Sequence, residues 1–344
     1  MNIENLVRPN IRALMPYSSA RDEFTGNGEV FLDANENPFE TEVNRYPDPY
    51  QRAIKENLAP IKSVRPSQIF LGNGSDEAID LIIRIFCEPG KDKTIISDPS
   101  YGMYQVSAGI NNIEVIKVPL SENFEFIAEN MLKEADENTK VAFLCSPNNP
   151  SGNALDSAEV EKFIQSFEGI VVVDEAYIDF SLSESFTKKL ENYSSLIVMQ
   201  TFSKAWGLAG LRLGMAFASE EIISLINKVK PPYNINILTQ KAALEALNNE
   251  DKVKAEIKLI LQQREWLQNE LTKLVITEHI FPSDSNFLLV RFKEAKQLFD
   301  YLIAKEIIVR DRRKVRFGDN CLRITVGTPE ENQKLITAIK NYQP

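Results

Sequence analysis

The chain has 344 residues, and its 39 Lys and Arg against 49 Asp and Glu give a formal net charge of -10 with the single histidine neutral. This length fits about two domains, and 43% hydrophobic with 26% charged residues argues against intrinsic disorder. The acidic balance argues against a nucleic-acid partner, because such binding depends mainly on neutralising phosphates. One basic cluster is the exception, and we predict a solvated hairpin for it: Arg310, Arg312, Arg313, Lys314 and Arg316.

Two features of the sequence bear on the cellular compartment. No apolar run approaches the ~18 residues that a transmembrane helix needs, and residues 1–10 lack the apolar core of a secretory signal. Cys87, Cys145 and Cys321 are spaced too widely for a paired disulfide framework or a CxxC metal site, so we expect reduced, buried thiols. These features indicate a cytoplasmic protein with no membrane partner.

The single histidine limits the catalytic chemistry. A Ser-His-Asp hydrolase or a His-rich zinc site would depend on His279 alone, which lies beside predicted loop residues. We expect a structural or solvated role for this ring and no bound metal.

Between about residues 69 and 219, short β-branched runs alternate with helical patterns, which predicts βαβ units and a mostly parallel sheet. Within this region, segment 75–88 has helical spacing, and Ser75 followed by acidic residues is a typical helix start. The predicted architecture is a doubly wound α/β domain with a seven-stranded sheet. The candidate strands are 69–74, 94–99, 113–118, 141–147, 170–177, 196–204 and 213–219.

After residue 220 the pattern changes to a long helical stretch, 239–274, followed by the short strands 285–292 and 321–327. This pattern predicts a smaller α+β domain. Two consecutive prolines in segment 230–234 would end a preceding helix, so this segment is the candidate hinge. The predicted domains are accordingly 31–232, which is the large α/β domain, and 233–344, with residues 1–30 packing on the small domain.

In an open parallel sheet, ligands bind outside the carboxyl ends of the strands. The segments that follow the predicted strands together carry hydroxyls, an aromatic ring, amides, a carboxylate and an amine. Two nucleotide motifs can be set aside: Glu77 stands where a dinucleotide fingerprint needs its third glycine, and VVVDE lacks a companion P-loop. The segments are 72–76, 98–101, 146–152, 174–177 and 201–204.

With these motifs set aside, several of the residues are interpreted as a phosphate-binding site. The N–H groups of Ser75 and Asp76 would open a helix, where unpaired donors and the helix dipole favour an anion. Thr201, Ser203 and Arg212 could add hydroxyl and guanidinium donors to the same group. Simple N-capping by Ser75 and Ser203 is the alternative.

The motif TFSKAWGLAG at 201–210 matches the lysine signature of class II aminotransferases. Further blocks match fold-type I pyridoxal-phosphate enzymes: SPNNPSG at 146–152, DEAYIDF at 174–180 and GLRLG at 210–214. Over residues 11–340 the chain resembles the histidinol-phosphate aminotransferase family in particular. The blocks that carry this closer resemblance are 14–21, 32–38, 44–49, 73–90, 99–108 and 321–328.

The resemblance implies pyridoxal 5'-phosphate as the cofactor, with Lys204 joined covalently to its aldehyde and later moving a proton as general base. Such an amine must be partly deprotonated, and desolvation would lower its pKa from about 10.4. Asp174 follows four apolar residues, so its carboxylate should be buried and should need a cationic partner. The resemblance makes the cofactor's protonated pyridine nitrogen that partner, in place of simple N-capping by Asp174.

Three further residues resemble the groups that hold the cofactor ring in this family. Asn149 and Tyr177 resemble the hydrogen-bond donors to the cofactor's phenolate oxygen, although either could merely close a turn. Tyr101, rather than the nearby Tyr104, resembles the aromatic residue that stacks on the pyridine face. We also predict a cis peptide bond between Asn149 and Pro150, because cis-proline persists in turns of this kind.

Other residues resemble family contacts with the substrate and the second subunit. Tyr46 resembles the tyrosine that reaches the cofactor phosphate of the neighbouring subunit, which implies a homodimer with shared active sites. Arg323 resembles the guanidinium that binds the substrate's distal anion or the 2-oxoglutarate carboxylate. Tyr17 and Asn35 resemble substrate-side contacts, with Tyr17 toward the substrate phosphate.

The reaction implied is transamination of L-histidinol phosphate with 2-oxoglutarate, giving imidazole-acetol phosphate and L-glutamate in histidine biosynthesis. An aminotransferase of aromatic amino acids and a phosphothreonine decarboxylase remain alternatives, because relatives in this fold exchange substrates easily. A cofactor-bearing regulator is less favoured, since only about 30 residues precede the predicted large domain and such regulators usually carry a fused DNA-binding domain.

Overall fold

Seven short strands form the central sheet of the computed structural model, which describes residues 2–17 and 30–343. Their order across the sheet is β1-β7-β6-β5-β4-β2-β3; β7 is antiparallel to both of its neighbours, and the other neighbouring pairs are parallel. All seven predicted strands and the mostly parallel sheet are confirmed. The strands are β1 (Ile69–Asn73), β2 (Lys93–Asp98), β3 (Glu114–Pro119), β4 (Thr139–Cys145), β5 (Ile170–Asp174), β6 (Leu196–Thr201) and β7 (Leu213–Phe217).

Helices cover both faces of this sheet, because alternate residues of each buried strand point to opposite faces. On β5, Val171 and Val173 join one apolar core, while Ile170 and Val172 join the other. Helices α2, α5 and α6 contribute to the first core, and α3, α4 and α7 contribute to the second. The helices are α1 (Pro9–Ala13), α2 (Arg52–Lys62), α3 (Gly74–Phe86), α4 (Met103–Ile110), α5 (Ala128–Glu134), α6 (Ser157–Ser166) and α7 (Glu220–Val229).

The start of the chain packs on the large domain. Ile3, Val7 and Ile11 are buried in the same core as helix α3. The Arg8 backbone N–H donates to the Ile85 carbonyl at 3.0 Å, and the Arg8 side chain pairs with Glu88 at 3.1 Å. The expectation that residues 1–30 pack on the small domain is therefore wrong for this part. The apolar residues of this segment belong to the core around α3, a contact that the sequence alone does not show. Residues 18–29 lie outside the described residues.

A second sheet of four short antiparallel strands, in the order β10-β11-β9-β8, forms the predicted smaller α+β unit within the described residues. Its core packs β9 and β11 against α9, α10 and α11. The predicted helical stretch 239–274 is divided at residues 248–249 into two helices. The elements are α8 (Ile237–Leu247), α9 (Glu250–Thr272), α10 (Ala295–Ala304), α11 (Pro329–Lys340), β8 (Thr277–Ile280), β9 (Phe287–Phe292), β10 (Arg310–Asp311) and β11 (Cys321–Thr325).

Several local predictions can be compared with this fold. Helix α7 ends at Val229, directly before the segment with two prolines, as predicted. Cys87, Cys145 and Cys321 are free and buried, also as predicted. His279 lies exposed on β8 with its ring edge against Phe281. No helix in residues 2–17 or 30–343 is both long enough and apolar enough to cross a membrane.

Candidate active site

The carboxyl ends of β1, β2, β4, β5 and β6 meet at one edge of the central sheet, where the candidate residues gather. Lys204 lies on a tight loop directly after β6. The Ser203 backbone N–H donates to Thr201 Oγ1 at 3.0 Å, and the loop is anchored by the buried aromatic side chains of Phe202 and Trp206. The Lys204 ammonium lies 5.7 Å from the ring centroid of Tyr177.

The surroundings of Lys204 favour its neutral amine. Desolvation lowers the pKa of Lys204, and the positive charges of Arg323 and Arg212 lower it further, against the opposing effect of Asp174 and Asp76. A neutral amine can act as a nucleophile and as a proton acceptor, whereas an ammonium group can do neither. These surroundings therefore make Lys204 a better nucleophile and proton acceptor than a lysine in water.

Asp174 ends β5 and is only 2% exposed. Burial raises the pKa of Asp174 to about 6, although hydrogen bonds from Tyr104 and from the Ala176 backbone act in the opposite direction. Tyr104 Oη donates to Asp174 Oδ2 at 2.6 Å, and the Ala176 N–H donates to Oδ1 at 3.1 Å. Among the described residues, no Lys or Arg forms an ion pair with this carboxylate. A buried carboxylate in this state favours a cationic partner from a ligand.

Tyr104 is the site residue that the sequence reasoning missed, since it was considered only as a wrong choice for the stacking aromatic. Its position three residues after Tyr101, together with the donor that a buried Asp174 requires, was the available signal. In the structure Tyr104 is completely buried between Tyr101 and Asp174, and its ring stacks on that of Phe143 with centroids 4.8 Å apart.

Asn149 connects the two sheets. It follows β4 in a loop where the predicted cis bond to Pro150 is present. Its Nδ2 donates to Tyr177 Oη at 3.4 Å, and Arg323 Nη1 on β11 donates to its Oδ1 at 2.6 Å. The Arg323 guanidinium also lies 5.1 Å from the Phe287 ring centroid. The structure thus brings Asn149, Tyr177 and Arg323 together.

The candidate phosphate site lies at the start of α3. This helix begins at Gly74, so Ser75 and Asp76 occupy its first turn, where backbone N–H groups have no partner within the helix. The Arg212 guanidinium reaches Asp76 Oδ2 at 3.3 Å and Ser203 Oγ at 3.5 Å. A Cβ on Gly214 would lie 2.2 Å from the Ser75 nitrogen, so only glycine lets β7 approach the helix start this closely.

The N-capping alternative is not what the structure shows. The N-cap position of α3 is Asn73, and Ser75 lies inside the first turn. Ser203 lies in the turn after β6 and accepts a hydrogen bond from Arg212. Tyr101 Oη donates to Asp76 Oδ1 at 3.1 Å, so the Asp76 carboxylate holds both Tyr101 and the Arg212 guanidinium.

Three predicted residues lie away from this site within one chain. Tyr46 is 49% exposed and stacks on Tyr233 with centroids 4.4 Å apart; with Asn35 it lines a cavity of about 530 Å³. Tyr17 is 71% exposed and lines another cavity, of about 770 Å³, beside Lys55. The described residues that line these cavities include none of the residues around Lys204.

Part of the predicted solvated hairpin faces the site. Arg313 pairs with Asp311, but Arg312 is half-buried, and its Nε is buried without a hydrogen-bond partner, as is the Nε of Arg323. Burial lowers the pKa of Arg312 to about 10, and the charge of Arg323 contributes. The prediction of solvation is thus wrong for Arg312, because its side chain turns toward Arg323 and Tyr177.

The residues present fit pyridoxal 5'-phosphate. Its aldehyde, its pyridine nitrogen and its phosphate would each find a chemically matched group, namely an amine of lowered pKa, a buried carboxylate without an ion pair, and a helix start with a guanidinium.

A family model described as aminotransferase class I and II matches residues 30–339. The chain therefore belongs to this family and is a pyridoxal-phosphate-dependent enzyme of fold type I, which confirms the predicted fold class and cofactor. More particularly, it belongs with the histidinol-phosphate aminotransferases: the protein of that name from Parabacteroides distasonis is 56% identical over 342 residues, covering 99% of each chain.

Solved structures extend the comparison. The histidinol-phosphate aminotransferase from Clostridium acetobutylicum has a TM-score of 0.80 and 26% identity, covering 87% of this chain and 90% of that chain. The L-threonine-O-3-phosphate decarboxylase from Porphyromonas gingivalis has a TM-score of 0.73 and the same 26% identity, over 87% of this chain and 90% of that chain. The shared fold alone does not choose between these reactions.

Proposed function

We propose that this enzyme transfers an amino group from L-histidinol phosphate to 2-oxoglutarate, giving imidazole-acetol phosphate and L-glutamate. The observation that carries the proposal is the meeting of Lys204, Asp174 and Arg323 around Asn149 and Tyr177. Near-complete alignment with histidinol-phosphate aminotransferases supports the choice of substrate.

The chain's own residues would divide the work as follows. Pyridoxal phosphate, when bound, supplies an electron-withdrawing ring that makes a proton on the substrate's amine-bearing carbon removable. Lys204 would bind the cofactor covalently and, once the substrate amine has displaced it, would move that proton, because its surroundings lower the pKa of its amine. Asp174 holds the proton on the pyridine nitrogen, and Asn149 and Tyr177 orient the ring through its phenolic oxygen.

The phosphate and the ring face would be held by the remaining residues of the site. The backbone N–H groups of Ser75 and Asp76 and the side chains of Ser203 and Arg212 bind the phosphate, with Thr201 supporting the loop through its hydrogen bond with Ser203. Tyr101 would pack against the ring, and its hydrogen bond to Asp76 would hold it there.

Arg323 would bind the anion of either substrate. Its Nε and that of Arg312 are buried without a hydrogen-bond partner, and no carboxylate of the described residues forms an ion pair with either arginine. Such donors favour an anion, which is the phosphate in histidinol phosphate and a carboxylate in 2-oxoglutarate. We further propose that Tyr17 and Asn35 contact the substrate bound in the active site of a second subunit.

A homodimer with shared active sites is also proposed. Tyr46, proposed to reach the partner's cofactor phosphate, is half exposed within one chain, and its segment exposes further apolar side chains: Leu32 at 90%, Phe39 at 77% and Val43 at 51%. Such a set of exposed apolar residues supports burial by a second copy. We also propose a cytoplasmic location, which the free cysteines support.

The substrate is tested by offering histidinol phosphate and phenylalanine side by side as amino donors, with 2-oxoglutarate as acceptor. We expect glutamate formation and loss of the yellow colour of the bound cofactor with histidinol phosphate. Brisk turnover of phenylalanine alone would reject this substrate in favour of an aromatic aminotransferase. Release of CO₂ from phosphothreonine would favour the decarboxylase.

Site sharing is tested by mixing Tyr46→Phe and Lys204→Ala subunits. In a mixed dimer with shared sites, one site combines Lys204 with Tyr46 from the other chain, so it should bind the cofactor with the parent's affinity. If each site uses its own Tyr46, every site that retains Lys204 has the weakened affinity of the Tyr46→Phe protein.

A further inference from the structure

Tyr104 has no part in the proposed function so far, yet it is the side chain most closely joined to Asp174. It is 0% exposed, and its Oη donates to Asp174 Oδ2 at 2.6 Å. This distance is at the short end for a hydroxyl and a carboxylate, which marks a charge-assisted hydrogen bond. The contact links the start of α4 to the end of β5.

Packing holds the ring of Tyr104 in place. It stacks on Phe143 of β4 with centroids 4.8 Å apart and planes 11° apart, and it meets Tyr101 edge-on at 5.6 Å. A buried phenol held on both sides cannot turn its hydroxyl to solvent. Asp174 therefore has a fixed donor on one oxygen whether or not the cofactor nitrogen is present.

The electrostatic consequence follows from the burial of both groups. Desolvation raises the pKa of Asp174, and the hydrogen bond from Tyr104 is the largest influence in the opposite direction. In return, burial and the nearby Asp174 charge raise the pKa of Tyr104 well above its usual value, so the phenol keeps its proton and stays the donor.

We propose that Tyr104 is a positioning residue for the reaction: its hydroxyl orients the Asp174 carboxylate and keeps it ionised, so that the proton shared with the cofactor stays on the pyridine nitrogen. The inference rests on the proposed role of Asp174. Tyr104 touches neither substrate nor reacting atoms; it acts through Asp174.

Tyr104→Phe tests this in the cofactor-loaded enzyme, because it keeps the stacked ring and removes only the hydroxyl. The Asp174 carboxylate becomes more basic, so the 15N NMR signal of 15N-labelled bound cofactor should move toward that of an unprotonated pyridine nitrogen. We expect kcat to fall about tenfold with little change in the KM for 2-oxoglutarate. The control is Tyr193→Phe, which removes a tyrosine donor to Glu161 outside the site and should leave both values unchanged.

A second variant reverses the sign. Replacing Tyr104 with 3-fluorotyrosine strengthens the donor, so the 15N signal should move toward the protonated form; this variant also serves if Tyr104→Phe does not fold. Combining Tyr104→Phe with Asp174→Asn should add no further loss in kcat if Tyr104 acts through Asp174.

Three results separate failure of this inference from failure of the proposed function. An unchanged 15N signal in both Tyr104 variants, with a protonated nitrogen in the parent, would overturn the positioning role alone. Equal losses of kcat from Tyr104→Phe with and without Asp174→Asn would also overturn it, since a purely structural effect does not depend on Asp174. A parent enzyme that binds no cofactor would instead remove the proposed function.

Discussion

Arg323 Nη1 on β11 donates a hydrogen bond to Asn149 Oδ1 at 2.6 Å, although the two residues are 174 positions apart in the sequence. The bond joins the small sheet to the loop after β4. It also orients the Asn149 amide, because an oxygen that accepts from Arg323 leaves Nδ2 as the donor toward Tyr177. In the proposed function, this guanidinium also binds the substrate anion, and the amide that it orients contacts the cofactor ring.

Arg323→Gln should weaken binding of the substrate anion. Losing a charge-assisted hydrogen bond costs about 1.5–3 kcal/mol, so the KM for 2-oxoglutarate should rise about 10-fold to 100-fold. Steady-state kinetics with each substrate measures the change. The matched control is Arg313→Gln on the same hairpin, where the arginine pairs with Asp311. Equal KM values for parent and Arg323→Gln would exclude the residue from substrate binding.

Lys204→Ala should abolish covalent attachment of the cofactor and stop turnover while the protein stays folded. Borohydride reduction followed by peptide mass mapping should find the cofactor on the peptide with Lys204 in the parent and on no peptide of the variant. Lys188→Ala is the control, since that lysine pairs with Glu184 on the surface. Labelling that persists in Lys204→Ala would assign the attachment to a different amine.

Asp174→Asn should retain bound cofactor but lose rate, because a neutral amide cannot hold the pyridine nitrogen protonated. We expect kcat to fall on the order of 100-fold or more, with the cofactor's visible absorbance still present after dialysis. Tyr104 would then donate to the amide oxygen, so the fold should be kept. A variant as fast as the parent would remove Asp174 from the mechanism.

Arg212→Gln should weaken cofactor binding, because the guanidinium lies beside the hydroxyl of Ser203 and reaches Asp76 in the first turn of α3. Loss of its charge should raise the dissociation constant of pyridoxal phosphate about 10-fold to 100-fold, measured by equilibrium dialysis. Arg65→Gln changes an arginine that pairs with Glu191 and Glu220 on the surface, and should bind the cofactor like the parent. Unaltered binding by Arg212→Gln would place the phosphate elsewhere.

Glu175→Gln should change how stability depends on pH. Burial raises the pKa of Glu175 from 4.5 to about 7, against the hydrogen bonds from Ser185, Phe186 and Gln200. A folded-state pKa above the unfolded value gives stabilisation that is complete below pH 4.5 and is lost as the pH rises through 7, a change on the order of 3 kcal/mol.

The free energy of unfolding of parent and variant, compared at about pH 5 and about pH 8, tests this. The parent should lose more stability than Glu175→Gln as the pH rises. Glu168→Gln alters an exposed carboxylate and should keep the parent's dependence. The same slope in parent and Glu175→Gln would show that Glu175 does not titrate in this range.

Much of the fold follows from local patterns. The seven strands of the central sheet were predictable because runs such as 170–173 are apolar, β-branched and buried on both faces. Strands β8 and β10 were missed, since the first has no buried residue and the second has two residues. The division of 239–274 into two helices was missed as well, because helical spacing continues across Asn248 and Asn249.

The sequence by itself determined which chemical groups lie at the ends of the strands, and parallel strands bring their carboxyl ends to one edge, so Lys204 and Asp174 could be proposed for one site. Only the tertiary structure decided which groups touch: Tyr104 on Asp174, Arg323 on Asn149, and the N-terminal segment on α3. Such contacts join residues far apart in the chain, and their geometry depends on strand order and side-chain packing, which leave no local pattern in the sequence.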